Sequence, residues 1–472
     1  MTQRTHRLLL ALLLFVLTVV AHIGIVATPG FFSHDEWQKF DHIQEHGFPD
    51  FAAAYGRVYA GTEFGVPVRP LGFLQQGVSS TWMERAPIVA HLFDVLLHSG
   101  ITLIVFGVLL SAGLATAPSW IAALLFSTSP LTTMSTGWLA ASFDQWYTLF
   151  AILACWLSYL LIRDGVSISR LFALLLCSAC AILSKETSLI LPGLIAITAY
   201  VTFLRSHHTS FPIKVAAIAI VVSTVPLAIY LIVRIPALLN SVAGHSHASY
   251  TPSIWNVPEN MLNYAAYPFL VSLAELGSID SQSLSSIVVA ITFHGLLAVG
   301  VWRYFGFTYA TLYLIAYYIF LAPILSLHVL GSHYLYGSAI PMALALGAVI
   351  WSSWSNNRFL VLGISVFGSL LLLIHSIQSQ AVLYADGACQ SVFLETLDTR
   401  MAIEASRGTK VIVIDPAEGT RAHVGIRAIT GRERYAGSAE LPAVRFSQSK
   451  LEIEKPIEQS VVIQMTKSCK VR

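Results

Sequence analysis

Apolar residues in this chain fall in long unbroken runs rather than in strand-like alternation or one-sided helical stripes. A helix needs about 20 mostly apolar residues to cross the hydrocarbon of a bilayer. Runs of that order occupy 8–28, 88–112, 118–136, 143–162, 170–184, 187–204, 213–233, 286–302, 308–327, 335–353 and 359–378, and they predict eleven membrane helices. The segment 261–276 is shorter and ends at Glu275 with Asp280 close behind, so it reads as an interfacial or re-entrant piece. Arg4 and Arg7 precede the first run as they would a secretory signal. That run is longer than the usual signal core of about 7–15 residues and no small-x-small site follows it, so it reads as the first membrane helix.

The basic residues orient the runs, because short cytoplasmic loops are enriched in Lys and Arg. With 261–276 outside the count, Arg4, Arg7, Arg163, Arg170, Arg205, Lys214, Arg303 and Arg358 all fall on one side. The first loop (29–87), the loop 234–260 and the tail (379–472) then lie on the opposite, extracytoplasmic side. Lys410–Gly419 and Ser460–Met465 read as buried strands bounded by turn residues. The expected fold is therefore an all-α polytopic membrane protein of about 11 transmembrane helices (1–378). It carries a small C-terminal extracytoplasmic α/β domain (379–472).

Composition agrees. Of 472 residues, 56% are hydrophobic and 11% charged, against roughly 25% charged in soluble domains. A net charge of +2 provides no basic field for nucleic acid. Cys155, Cys177 and Cys180 lie inside expected spans, whereas Cys389 and Cys469 bracket the tail. In an oxidising compartment that last pair is a disulfide candidate; in a reducing one it is two free thiols.

Polar side chains at the outer ends of the runs carry the candidate chemistry. "FFSHDEWQKF" sets Asp35 and Glu36 among aromatics just past the first run. "VRPLGF" supplies Arg69. His91, Asp94 and His98 follow at i, i+3 and i+7, one helical stripe that faces protein or water rather than lipid. The stripe suits neutral histidines bonded to neighbouring helices, or a polar site. One metal ion could not bridge His91 and His98, about 10 Å apart along the axis. Asp144 lies at the mouth of the fourth run, and Lys185 and Glu186 lie in a hairpin. Lys185 either snorkels to the interface or holds a phosphate as a point charge. "GSHYLYGSAIP" brings His333, Tyr334 and Tyr336 to the same side; His245 and His247 read as loop polar residues.

Taken in order, these elements resemble the GT-C superfamily of integral membrane glycosyltransferases, near the protein O-mannosyltransferase and bacterial polyprenyl-phosphate-sugar branches. "HDEW" is similar to that family's acidic first-loop motif, and "VRPL" with "HLFDVLLH" to its Tyr-Arg-Pro-Leu and His-x-x-Asn-x-x-x-His elements. "ASFDQW" sits where a second acidic residue is common, and "SKETSLILP" is similar to a Lys-Glu…Leu-Pro signature. "HYLYGSAIP" is similar to an Arg-Tyr-Leu-Tyr…Pro element. The resemblance runs over residues 31 to about 350, and the tail has no counterpart in it. Val68 stands where the family has an aromatic, Asp94 where it has Asn, and His333 where it has Arg. Loss of that permanent cation moves the phosphate role to Lys185 and Arg69.

The resemblance implies transfer of a sugar, with inversion, from a polyprenyl-phosphate donor to a hydroxyl on a glycan, lipid or protein acceptor. The setting implied is the extracytoplasmic face of a bacterial inner membrane. Asp35, or Glu36 beside it, is the expected general base. His91, Asp94, Asp144, Glu186, His333, Tyr334 and Tyr336 are expected to line the substrate site with Arg69 and Lys185. Some relatives use a divalent metal (Mg or Mn) and others do not; Asp35 and Asp144 are the ligand candidates here. Two alternatives stand beside this reading. One is a polymerase or ligase of lipid-linked glycans, with a diphosphate donor. The other is a lipid-sugar transporter, which would show internal repeats that this chain lacks.

Overall fold

The computed structural model describes residues 2–31, 36, 40, 43, 47–50, 69–83, 86–205, 213–242, 252–269, 283–328, 330–417, 420–430, 435–438, 441–447 and 460–471. Among them the chain is built from α1 (Gln3–Ala21), α2 (Pro70–Met83), α3 (Pro87–Ser111), α4 (Thr116–Ser127), α5 (Pro130–Gly137), α6 (Phe143–Asp164) and α7 (Ile168–Ser184). There follow α8 (Leu191–Arg205), α9 (Ile213–Val242), α10 (Asn256–Ala266), α11 (Leu284–Phe305), α12 (Phe307–Ile319), α13 (Ala339–Ser355) and α14 (Phe359–Ser406). The tail adds β1 (Val411–Pro416), α15 (Ala422–Thr430), β2 (Ala443–Phe446) and β3 (Ser460–Met465).

Every expected run contains a helix, but the count of eleven spans is not reached. Among the described residues seven helices are long and apolar enough to cross a bilayer, and four more apolar helices are shorter. The reason is local. Pro130, which has no N–H to donate, opens a new helix capped by Ser129, so the run 118–136 is split between α4 and α5. The run 308–327 loses its helix after Ile319 and continues as turns. At 1.5 Å per residue the 13 residues of α12 cover about 20 Å, short of the roughly 30 Å hydrocarbon core. The 11-residue α10 is shorter still; the rest of 261–276 beyond Phe269 lies outside the described residues.

The helices alternate in direction and give the bundle two unlike ends. At one end the Arg163 guanidinium donates to the Ser111 carbonyl (3.2 Å), Arg205 lies beside Gly113, and Trp120 donates to the Leu10 carbonyl (3.0 Å). Tyr304 and Ser353 meet there at 3.0 Å, joining the C-terminal ends of α11 and α13. The cations flagged by the sequence thus gather at this end. The buried charged residues of the bundle, Glu36, Asp94, Asp144 and Lys185, gather at the other.

The tail packs on that polar end. A three-stranded parallel sheet in the order β2-β1-β3 sets Val411 opposite Ala443 and Ser460. Ile412, Ile414, Val424, Val444 and Ile463 share a core with Phe393, Leu397 and Met401 of α14 and with Phe31, Phe40 and Leu139 of the bundle. Composition changes near 379, but the 48-residue α14 runs through that point from membrane to sheet. Cys389 on this helix is disulfide-bonded to Cys469, Cα to Cα 5.3 Å, tying the chain end back to it. Gly30 lies so close to the Gly387 backbone that a Cβ there would meet the Gly387 carbonyl at 2.6 Å. That close approach lets the Phe31 N–H reach Gln390 Oε1 at 2.6 Å.

Candidate active site

Four charged residues scattered along the sequence meet at the polar end. The helix pattern breaks after α7, where Lys185 takes extended backbone angles (φ −160°, ψ 136°), and a 3-10 turn (Glu186–Ile190) follows. The break turns the Lys185 side chain inward. Its Nζ donates to Asp144 Oδ2 at 2.6 Å, and the two side chains are only 2% and 1% exposed. Lys185 does not snorkel. Asp144 sits in the first turn of α6, where the helix dipole favours a carboxylate. The Lys185 ammonium also lies 4.2 Å from the Tyr334 ring centre, a cation–π distance.

Arg69 immediately precedes Pro70, the first residue of α2. It forms a two-point pair with Glu186: Nε donates to Oε2 at 2.8 Å, and Nη2 donates to Oε1. Its guanidinium lies 5.1 Å from the Phe143 ring centre. This pair is the wetter one, with side chains 16% and 35% exposed. The quartet has two positive and two negative charges, so both expected phosphate-binding cations already hold carboxylates. Two of the five Arg69 donors and one of the three Lys185 donors are used in these pairs.

A second polar layer adjoins the quartet. Glu36 is buried and accepts the Leu139 N–H at 3.1 Å. Asp94 is buried close enough to Glu36 for their charges to interact, and its Oδ1 accepts from Gln75 Nε2 at 2.6 Å. The Oε1 of the same Gln75 accepts from Ser142 Oγ (3.0 Å) and from Trp146 Nε1. Gln76 donates to the Leu139 carbonyl at 3.2 Å. Gln75 therefore ties α2, which follows directly on Arg69, to α3 and to the first turn of α6. Gln75, Gln76, Ser142 and Trp146 do not stand out as site residues along the chain. Two adjacent amides inside "PLGFLQQG" were the available signal.

His333, in a 3-10 turn before α13, is half-buried against the Trp138 edge (4.9 Å) and the Tyr334 ring (4.0 Å). Burial, reinforced by the Lys185 and Arg69 charges, pushes its pKa well below the usual 6.5. The shift favours its neutral form, and the charges acting on it are those of Lys185 and Arg69. His91 and Tyr336 are buried in internal bonds: His91 Nε2 donates to the Gly30 carbonyl (2.9 Å), and Tyr336 and His98 Nδ1 meet at 2.7 Å. His98 Nε2 donates to the Ser127 carbonyl at 3.1 Å. Asp35, His245 and His247 lie outside the described residues.

Among the described residues no three His, Cys, Asp or Glu side chains converge as metal ligands. Asp144, with an ammonium at 2.6 Å, is a poor partner for a divalent cation. No protein-family model matches this chain, and no curated protein is significantly similar to it.

Proposed function

We propose that this chain is a membrane glycosyltransferase that moves a sugar from a polyprenyl-phosphate donor to an acceptor hydroxyl. The observation that carries the reading is the meeting of Arg69, Glu186, Lys185 and Asp144 at one end of an apolar bundle, beside Glu36 and Asp94. Ionisable groups inside a membrane bundle are costly and mark functional sites. Asp144 and Arg163 bound the same helix about 28 Å apart along its axis, so the quartet lies across the bilayer from the cationic end. The positive-inside tendency makes the quartet's end extracytoplasmic, and a disulfide in the domain beside it suits that compartment. The protein then resides in a bacterial inner membrane with its site facing outward.

In the proposed reaction the acceptor O–H loses its proton to a carboxylate, Asp35 or Glu36. The freed oxygen attacks the anomeric carbon from the side opposite the phosphate. The anomeric C–O bond breaks and its electron pair leaves on the phosphate, inverting the configuration. Phosphate is already a good leaving group, so its charge needs compensation rather than protonation. Arg69, on the exposed side with donors to spare, meets the phosphate first. Lys185, dry and bound to Asp144, adds a fixed positive charge behind it. Glu36, held by the Leu139 N–H, and Asp94, bonded through Gln75 to the first turn of α6, orient the acceptor side.

The test uses purified protein in liposomes with radiolabelled polyprenyl-monophosphate and polyprenyl-diphosphate sugars and a cell-envelope acceptor fraction. Transfer from the monophosphate donor is expected. Transfer from the diphosphate donor alone would assign a polymerase or ligase instead. Movement of intact lipid-sugar without label transfer would assign a transporter.

A further inference from the structure

A second feature lies at the opposite, cationic end and is independent of the reaction. An apolar groove of about 180 Å³ opens between α11, α13 and α14, lined by Phe293, Leu297, Gly300, Val349, Val361 and Ile364, with Arg303 and Tyr304 at one end of it. Leu296, Val299 and Ile364 on its rim are about half exposed, so the groove opens on the face that a bilayer would cover. An apolar cavity of about 150 Å³ accommodates a benzene-sized hydrocarbon, so this one takes a stretch of alkyl chain. From Phe293 to Arg303 is about 15 Å along α11, the hydrocarbon depth of one leaflet. Arg303 in the last turn of α11 and Arg358 just before α14 are both exposed, and among the described residues neither has a carboxylate partner. Exposed Trp302 and Trp354 flank the same end, as interfacial tryptophans do.

From this we infer that the groove is a binding site for one anionic phospholipid of the Arg303-side leaflet, its acyl chain in the groove and its phosphate at Arg303. A chain that fills the gap between α11 and α14 also braces the start of the helix that continues into the tail domain.

Native mass spectrometry of the full-length protein in detergent, titrated with phosphatidylglycerol or phosphatidylcholine of equal chain length, tests this. One phosphatidylglycerol should bind about fivefold more tightly than phosphatidylcholine, the worth of one interfacial cation. Arg303→Gln should abolish the preference and Arg303→Lys should keep it. Ile364→Trp, at a half-exposed rim position, should weaken binding of both lipids by filling the groove. Equal binding of the two lipids, or an unchanged preference in Arg303→Gln, overturns the inference. Selective retention of polyprenyl phosphate over phosphatidylglycerol overturns the choice of occupant.

Discussion

Replacing Lys185 with Met removes one partner of a pair whose side chains are 2% and 1% exposed. An exposed ion pair is worth about 0.2–1 kcal/mol. Removing one member of a buried pair costs about 3–5 kcal/mol, because the remaining charge has lost its compensation. Asp144 would be left with neither oxygen bonded, since Oδ1 already has no partner among the described residues. Loss of the Tyr334 contact adds to the cost. Lys185→Met is therefore expected to destabilise by about 4 kcal/mol, close to a thousandfold in the unfolding constant. Asp144→Leu should cost about the same, and Lys185→Met with Asp144→Leu should return to within about 1 kcal/mol of the parent, since an apolar pair replaces an ionic one without orphaned charge. Reversible unfolding in mixed detergent micelles measures all four corners of the cycle. A coupling above about 3 kcal/mol, insensitive to salt, is expected. A Lys185→Met cost below about 1 kcal/mol, or a double variant as unstable as both singles combined, would refute the buried-pair account. The double variant should also be folded yet inactive, which separates the pair's proposed role from its effect on stability.

Further expectations address the other polar groups. Asp35→Asn should abolish transfer in the liposome assay with expression unchanged; near-normal turnover would move the base to Glu36, checked with Glu36→Gln. Arg69→Lys keeps the charge but loses the two-point grip on Glu186, so it should raise the donor KM more than it lowers kcat; an unchanged KM removes Arg69 from donor binding. Because the pKa of His333 is depressed in the fold, its share of stability is complete above pH 6.5. It declines below that pH, where only the unfolded chain gains the proton, by about 1.4 kcal/mol per pH unit. The loss of Tm between pH 7.5 and 5.5 should be smaller in His333→Asn, and an equal loss contradicts the depressed pKa. Gln75→Leu leaves the bonding groups of Asp94, Ser142 and Trp146 unmatched and should cost about 1–3 kcal/mol in the same unfolding assay.

What the sequence determined by itself is what depends on local composition. Apolar runs had to become helices, because a bilayer forces every backbone polar group to be satisfied internally. Basic residues at alternate run ends had to meet at one end of the bundle once the helices alternated in direction. The strands at Val411–Pro416 and Ser460–Met465 were legible for the same reason, each carried by a short pattern, whereas the pairing of Cys389 with Cys469, 80 residues apart, stayed open until the fold brought them together. The short β2, Ala443–Phe446, has too little pattern of its own and exists through pairing with β1.

Only the tertiary structure decided which polar groups meet. Arg69 and Glu186 are 117 residues apart, and Lys185 and Asp144 are 41 apart. No local pattern says that the two cations are already neutralised, or that Gln75 joins three helices. It likewise decided that, among the described residues, seven rather than eleven helices have the length to span, since Pro130 and the backbone break at Lys185 fix where helices stop while hydropathy does not. Hydrophobicity is a property of a residue and its near neighbours. Desolvation and charge pairing depend on what the rest of the chain packs against each group, and that is settled only when the helices come together.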